Sequence, residues 1–240
     1  MHKKEMEREN KTPAPFLYSE VMQMKRYRHL YMLLIVLLVC FVVLSFSYET
    51  SCIDQFDHVI SNYIQSFRNE YFTAYFVWMS YIGSKKVYFP VMFILFTYFL
   101  IRRRYMTAIL LMINFYGSRY LNYILKAWYE RTRPDISQLV TATGYSFPSG
   151  HAMNAVAFLG FIAYITITEH RLQLYQKLLL IVIACFLIFS ISISRIYLGV
   201  HYPSDILAGW AAGGSWLILC IMFHQTFLSH AADNKSSVSS

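Results

Sequence analysis

Long apolar runs are the feature that most restricts what this chain can fold into. Six of them approach the ~20 residues that a helix needs to cross a hydrocarbon layer of ~30 Å. They do not alternate polar and apolar residues, as the strands of a membrane barrel do. Only 14% of the residues are charged, which argues against a soluble domain. We therefore predict an all-α integral membrane protein, a bundle of six transmembrane helices. The predicted spans are 29–48, 87–101, 105–125, 151–168, 178–194 and 204–223.

Two shorter segments lie between the first and second spans. Residues 53–67 set apolar side chains at helical spacing against Asp54 and Asp57, which is typical of an amphipathic helix on a membrane surface. The aromatic segment 71–82 rises 1.5 Å per residue as a helix and falls well short of ~30 Å. We expect both segments to be interfacial or re-entrant helices on the outer side. The predicted divisions are a polar tail at 1–28, a six-span domain at 29–228 with outer interfacial helices at 53–82, and a disordered tail at 229–240.

The distribution of basic residues predicts the orientation. With the N-terminus inside, thirteen Lys or Arg residues fall on cytoplasmic segments, seven fall on outer segments, and Arg119 lies within the third span. Cytoplasmic segments of membrane proteins are enriched in Lys and Arg, so this orientation is favoured. We predict a multi-pass protein of the cell membrane, with both termini in the cytoplasm and the three motifs below on the outer side. The first run is longer than a signal-peptide core and starts late, so we expect an uncleaved anchor.

A polar motif, FPSGH, precedes the fourth span. Pro148 and Ser149 stand where a helix begins, and Gly150 allows a ligand to approach the backbone. Free backbone amides at a helix N-terminus favour an anion, so the motif predicts phosphate binding by Ser149 and Gly150. Taken alone, it fits a plain helix cap followed by an interfacial His151 at least as well.

A second motif, KAWYERTRP, follows the third span. Lys126 supplies a compact ammonium and Arg133 a planar guanidinium, and both can face one phosphate. The alternative is attraction to anionic lipid headgroups, which we expect for Arg131. Arg119 and Asn122 share a helical face with Lys126 and are expected to support the phosphate-binding groups from inside the bundle. Arg119 has the alternative of extending to the outer surface.

The third motif, SRIYLGVHYPSD, combines a cation, a nucleophile and a carboxylate. Arg195 is a further candidate phosphate ligand. A carboxylate that accepts from one imidazole nitrogen leaves the other free to attack phosphorus. His201 is therefore the candidate nucleophile, and Asp205 is the group that orients it. His151 remains as the acid that protonates the leaving oxygen and the base that then activates water.

Several other features carry no predicted chemistry. The net charge of +8 does not indicate nucleic acid, because the basic residues are interleaved with membrane segments instead of covering one soluble face. The cysteines show no spacing for zinc or a disulfide framework, and we expect structural or lipid-facing roles for Cys40, Cys52, Cys185 and Cys220. We predict no metal, no cofactor and no obligate protein partner. Surface positions are expected for His2, His29, His58, His170, His224 and His230.

These residues resemble the type-2 phosphatidic acid phosphatase superfamily of lipid phosphatases, over roughly 87–223. Its motifs match Lys126-x6-Arg133-Pro134, Pro148-Ser149-Gly150-His151 and Ser194-Arg195-x5-His201-x3-Asp205. The resemblance implies metal-independent hydrolysis of a lipid phosphate or diphosphate through a phosphohistidine at His201. Small bacterial members are the most similar, including phosphatidylglycerophosphatase B-like enzymes and undecaprenyl-diphosphate phosphatases. An outward-facing site favours undecaprenyl diphosphate, whose conversion to undecaprenyl phosphate recycles the carrier lipid of cell-wall peptidoglycan synthesis.

Other functions stay open on the sequence. The substrate could instead be phosphatidylglycerophosphate or phosphatidic acid, or the phosphoryl group could pass to another lipid and not to water. A transporter of anions or lipids is the non-enzyme alternative, because Arg119 and the basic outer cluster could line a path. The charges gather at one membrane face, however, and the spans show no repeated halves, so an enzyme is favoured.

Overall fold

The computed structural model describes residues 15–134 and 138–238, and within them the backbone forms eight helices and no strand. This confirms the all-α class. The helices are α1 (Pro15–Ser47), α2 (Ser51–Gln65), α3 (Glu70–Ile82), α4 (Lys85–Ile101), α5 (Tyr105–Tyr129), α6 (Gly150–Glu169), α7 (Leu174–Tyr197) and α8 (Pro203–Val238).

In the part of the chain that the structure describes, four helices are long and apolar enough to cross a membrane: the Tyr27–Ser47 part of α1, α6, α7 and the Pro203–Phe227 part of α8. The pair α3 and α4 meets at a bend of 43° and would make a fifth crossing if it is one broken span. α5 has 25 residues, but polar side chains such as Asn114 and Arg119 dilute its apolar sequence. The chain is therefore a multi-pass protein by helix length and composition, and the count of six spans stays a prediction.

The close packing of α6 on α8 brings two of the motifs together. A Cβ placed on Gly213 would lie 2.4 Å from the Met153 carbonyl oxygen, and one on Gly209 would lie 2.8 Å from that of Ser149. Only glycine permits backbones to approach this closely, as expected for a small-xxx-small pattern. The start of α6 therefore lies directly against the start of α8. Below this contact, the core between α4, α5, α6 and α8 is apolar and aromatic, with Tyr88, Met92, Leu111, Phe115, Phe158 and Phe161 buried.

The amphipathic segment forms α2, and it packs on α7 and α8 near their motif-bearing ends. Gln65 donates to the Ile196 carbonyl oxygen (3.1 Å), and Arg68 donates to that of Tyr197 (2.7 Å). Apolar side chains of α2, including Val59 and Tyr63, are exposed. Exposure of this apolar face suits contact with lipid, and the side of α2 that faces the protein combines Ile64, which packs on buried apolar clusters, with polar groups such as Asp57 and Gln65.

Both terminal helices extend into segments that the sequence predicted as tails. α1 begins at Pro15, inside the predicted polar tail, and α8 continues to Val238, past residue 229. Extending an existing helix costs little free energy, because each added residue forms one further backbone hydrogen bond, so both helices continue into the polar sequence beyond the predicted spans. Residues 1–14 of the predicted tail at 1–28 lie outside the described residues.

Candidate active site

The three motifs meet at one end of the bundle, around a cavity of about 560 Å³. The end of α5, the start of α6 and the segment between α7 and α8 supply its walls. The predicted convergence of the motifs is therefore present. Eight of the predicted site residues line the cavity: Arg119, Asn122, Lys126, Arg133, Gly150, His151, Arg195 and His201. The other two, Ser149 and Asp205, are fully buried beside it.

His201 is held by contacts on both of its ring nitrogens. Its Nδ1 lies 3.1 Å from Oδ2 of Asp205, and its Nε2 lies 3.2 Å from Nη1 of Arg133. A carboxylate accepts from Nδ1 and a guanidinium donates to Nε2, so the tautomer with its proton on Nδ1 satisfies both contacts. Nε2 then carries its lone pair toward the cations of the cavity. Burial lowers the pKa of His201 to about 3, with Lys126 and Arg133 adding to this effect and Asp205 opposing it, so the ring is neutral at pH 7.

Asp205 accepts hydrogen bonds from four directions and therefore has little freedom to turn. Besides His201, the Tyr202 amide donates to Oδ2 at 3.0 Å, Ser146 Oγ donates to the same oxygen, and Arg131 Nη1 donates to Oδ1 at 2.8 Å. Asp205 stands in the first turn of α8, directly after Pro203 begins the helix. Ser146 was not predicted, since no sequence pattern marks a serine three residues before the predicted helix cap.

Arg131 corrects one prediction. It was expected to attract lipid headgroups, but it is mostly buried and bridges two fully buried carboxylates, Asp57 and Asp205, at 2.7 and 2.8 Å. These carboxylates raise the pKa of Arg131 even though burial acts in the opposite direction. The guanidinium also lies 4.2 Å from the ring centroid of Tyr202. Arg131 therefore ties α2 to the aspartate of the third motif.

Asp57 corrects a second prediction. It was placed on the solvent-facing polar side of the amphipathic helix, yet its exposed fraction is 0%. Its Oδ1 accepts from the Ser204 amide at 2.8 Å, and its Oδ2 accepts from Ser204 Oγ at 2.5 Å and from Arg131 Nη2. The error came from the assumption that polar residues of a surface helix face water. Because this helix directs apolar residues outward, its buried side holds the charge.

The basic residues of the cavity are fixed largely by backbone carbonyl groups. Arg133 donates to the carbonyl oxygens of Val200 (2.8 Å), Gly144 (2.9 Å) and Thr143 (3.1 Å). Lys126 donates to those of Tyr145 and Ser146, the latter at 3.1 Å. Burial and neighbouring cations lower the pKa of Lys126 to about 7, and burial lowers that of Arg133. Among the described residues that line the cavity there is no Asp or Glu, and the cations there favour an anion.

Ser149 Oγ and Arg195 Nε are among the buried polar groups near the cavity that have no partner in the described part of the chain. Ser149 occupies the N-cap position of α6, but its side chain caps nothing, so the plain-cap interpretation is not supported. Arg195 is placed by a bond from Nη1 to Ser80 Oγ. Buried groups without partners are costly, and a bound phosphate would satisfy both.

Gly150 permits a close contact that the sequence did not indicate. A Cβ there would lie 2.7 Å from Oδ1 of Asn122, whose Nδ2 donates to the Pro148 carbonyl oxygen at 3.1 Å. Asn122 thus braces the FPSGH turn from α5. His151, one residue later, hydrogen-bonds to the Ser80 backbone and lies against Gly83 at the corner between α3 and α4.

The remaining histidines are mostly at the surface, with one exception. His29, His58 and His170 are exposed, and His58 pairs with Asp54 at 3.5 Å. His224 was expected at the surface but is buried, between Thr107 (3.2 Å) and the Tyr164 hydroxyl (3.1 Å). The prediction failed because His224 continues the inward face of α8 beyond the predicted span. The side chains of His2 and His230 lie outside the described residues.

Comparison with known proteins identifies the family. The model of the PAP2 superfamily matches residues 104–229. The chain is 31% identical over 173 residues to phosphatidylglycerophosphatase B of Bacillus subtilis, covering 72% of this chain and 85% of that protein. It is also 31% identical over 147 residues to the undecaprenyl-diphosphatase of Sulfolobus acidocaldarius, covering 59% of this chain and 65% of that protein.

A solved structure agrees with this assignment. The crystal structure of the transmembrane PAP2 type phosphatidylglycerolphosphate phosphatase from Bacillus subtilis superimposes with a TM-score of 0.76 at 29% identity. The match covers 80% of this chain and 96% of that one. The chain therefore belongs to the PAP2 superfamily, and it is a lipid phosphatase.

Proposed function

We propose that the protein hydrolyses the terminal phosphate of a membrane lipid without a metal ion, through a phosphohistidine at His201. The observation that carries this proposal is the position of His201. Its Nδ1 is held by Asp205 at 3.1 Å, and its Nε2 faces a cavity lined by Lys126, Arg133 and Arg195. This arrangement provides an oriented nucleophile and cations where charge develops in phosphoryl transfer.

In the first step, Nε2 of His201 attacks phosphorus while the bond from phosphorus to the leaving oxygen breaks. For this attack, Arg133 gives up its hydrogen bond to Nε2 and donates to a phosphoryl oxygen of the substrate instead. His151 donates a proton to the leaving oxygen, so the lipid departs as a neutral hydroxyl or as a monophosphate. The imidazolium that forms on His201 keeps its proton on Nδ1, which continues to donate a hydrogen bond to the carboxylate of Asp205.

In the second step, water attacks phosphorus, the bond from phosphorus to Nε2 breaks, and His151 takes the proton from water. Inorganic phosphate leaves and the enzyme returns to its starting state. Lys126, Arg133, Arg195, Ser149 and the Gly150 backbone hold the phosphoryl oxygens in both steps. Asn122 supports the turn at Ser149 and Gly150 from α5, whereas the contacts of the Arg119 guanidinium in the described structure are with the rings of Phe89 and Phe115.

The leading substrate that we propose is undecaprenyl diphosphate, presented at the outer face of the cell membrane. A six-span arrangement with cytoplasmic termini would place the cavity there, following the distribution of Lys and Arg. Phosphatidylglycerophosphate is the second candidate, because the relative that covers most of this chain carries the name phosphatidylglycerophosphatase B. We propose no cofactor and no obligate protein partner.

The test is phosphate release by the purified protein from undecaprenyl diphosphate, phosphatidylglycerophosphate and phosphatidic acid, side by side and with chelator present. We expect release in chelator, loss of release in His201→Ala, and a 32P label on His201 after a rapid quench into alkaline denaturant, because the P–N bond of a phosphohistidine is stable to alkali and labile to acid. Activity that disappears in chelator and returns with magnesium would refute the metal-independent mechanism. A labelled acceptor lipid with little free phosphate would indicate phosphotransfer. Lipid or anion flux that survives His201→Ala in liposomes would favour a transporter.

A further inference from the structure

The cavity carries more positive charge than the three motifs explain. Lys126, Arg133 and Arg195 belong to the motifs, but Lys85, Lys86 and Arg119 line the same cavity. A phosphate monoester brings a charge of about −2 at most. Since the described part of the lining contains no Asp or Glu, one such group leaves the second set of cations without a counter-charge there.

Arg119 is the most informative member of this second set. It is partly buried in α5, and no described residue pairs with it in a hydrogen bond or an ion pair. Its guanidinium lies over the rings of Phe89 and Phe115, at 5.3 and 5.6 Å from their centroids. These aromatic faces fix the planar group but accept none of its five N–H donors. The donors are therefore available to an anion in the cavity.

The start of α4 faces the same space. Ser84 is the N-cap of this 17-residue helix, and its Oγ is buried without a hydrogen-bond partner among the described residues. Lys85 and Lys86 follow in the first turn, where free amides and the helix dipole also favour negative charge. A Cβ on Gly83 would lie 3.2 Å from Cδ2 of His151, so this turn borders the group that we propose as the acid.

We propose that Arg119, Ser84, Lys85 and Lys86 form a second anion subsite, which binds a phosphate on the leaving-group side of the bond that breaks. The position beside His151 carries this assignment, because the acid must stand next to the leaving oxygen. The preferred substrate then has two phosphates: a terminal one that reacts at His201 and an inner one held by this subsite. The inference rests on the proposed function, since it takes His201 as the reacting group.

Two kinds of lipid supply this chemistry. A diphosphate joins its two phosphates through one oxygen, as in undecaprenyl diphosphate. A phosphatidylglycerophosphate separates its terminal phosphate from an inner phosphodiester by glycerol. Phosphatidic acid has no inner phosphate and therefore serves as the reference substrate.

The experiment compares kcat/KM of the wild type, Arg119→Gln and the double variant Lys85→Gln/Lys86→Gln on these three lipids. In both variants, we expect the ratio of kcat/KM on at least one two-phosphate lipid to kcat/KM on phosphatidic acid to be about 10-fold to 100-fold lower than in the wild type. This range corresponds to the loss of one charge-assisted hydrogen bond. Arg171→Gln is the matched control, since Arg171 is exposed beyond the far end of α6, and we expect its ratios to equal those of the wild type. The two lysines are exposed, so the double variant tests the subsite even if Arg119→Gln fails to fold.

A ratio that falls for only one two-phosphate lipid supports the subsite and identifies whether it holds the inner phosphate of a diphosphate or a phosphodiester. Equal losses on all three lipids, or no loss in either variant, would overturn it. Binding of the same lipids to His201→Ala, with and without Arg119→Gln, separates the two proposals. If the wild type hydrolyses none of the lipids but two-phosphate lipids still bind more tightly than phosphatidic acid, and Arg119→Gln removes this difference, the subsite is retained and the phosphatase mechanism is rejected.

Discussion

Replacing Asp57 by asparagine is expected to reduce both stability and activity, although Asp57 lies on a short helix outside the three motifs. Three donors converge on its two oxygens: the Ser204 amide on Oδ1, and Ser204 Oγ and Arg131 Nη2 on Oδ2. Asparagine keeps only one oxygen. If the asparagine oxygen takes the place of Oδ2, its NH2 group takes the place of Oδ1 and faces the Ser204 amide, which is also a donor. In the other orientation, the NH2 group faces the donors of Ser204 Oγ and Arg131.

The magnitude follows from the burial of this network. Asp57 has an exposed fraction of 0%, so the change leaves a buried donor unsatisfied and removes one carboxylate from a buried ion pair. Breaking a buried pair by removal of one partner costs about 3–5 kcal/mol. Arg131 loses one of its two anchors, and the restraint that it places on Asp205 weakens. If the hydrogen bond from Arg131 to Asp205 is lost, its contribution of about 1.5–3 kcal/mol no longer stabilises the transition state, which lowers kcat by roughly 10-fold to 100-fold.

The assay pairs denaturation of the detergent-solubilised protein with kcat on the best lipid substrate. Asp54→Asn is the matched control, because Asp54 is exposed on the same helix and its side chain forms an ion pair with the exposed His58 at 3.5 Å. This variant is expected to change stability by less than about 0.5 kcal/mol. A change of similar size in Asp57→Asn, with kcat unaltered, would refute the idea that α2 holds Asp205 through Arg131.

Three further predictions concern charge, topology and packing. Since the pKa of Lys126 is lowered to about 7, its positive charge is present below pH 7 and is lost above it, so kcat/KM should fall as the pH rises through about 7. Lys126→Arg should shift this decrease in the pH profile to higher pH. A decrease that stays at the same pH in Lys126→Arg would show that another group causes it. Cys52 is exposed near the cavity end of α1, so a membrane-impermeant maleimide should label it in intact cells, and labelling only after lysis would contradict the outward orientation. Gly213→Ala should destabilise the protein by about 1–3 kcal/mol through its clash with the Met153 carbonyl, whereas Gly214→Ala meets only the flexible end of Leu37 and should cost less.

Much of the candidate site could be predicted from short stretches of sequence. The residue types and spacing around His201, Asp205 and His151 indicate phosphoryl transfer, and their position next to long apolar runs places them at helix ends. A helix rises by a fixed distance per residue, so local periodicity is enough to locate these ends. The same reasoning placed Arg119 and Asn122 on the face of α5 that lines the cavity.

Other parts depend on contacts between residues far apart in the chain. Asp57 and Ser204 are 147 residues apart, and Arg131 and Asp205 are 74 apart. No periodic pattern encodes such a pair. The hydrophobic pattern of α2 even predicted the wrong environment for Asp57, because a helix at a membrane can direct its apolar residues toward lipid and its charge toward the protein.

The sequence by itself determined a helical membrane protein with histidines and cations next to the ends of its apolar runs, because hydrophobic length and helical spacing are local properties. Only the tertiary structure decided how His201 is restrained, which cavity cations lack an ionic partner among the described residues, and how closely α6 and α8 approach. These features arise where separate segments exclude solvent from one another. The energy of a buried charge depends on every group packed around it, and that set is fixed only when the helices assemble.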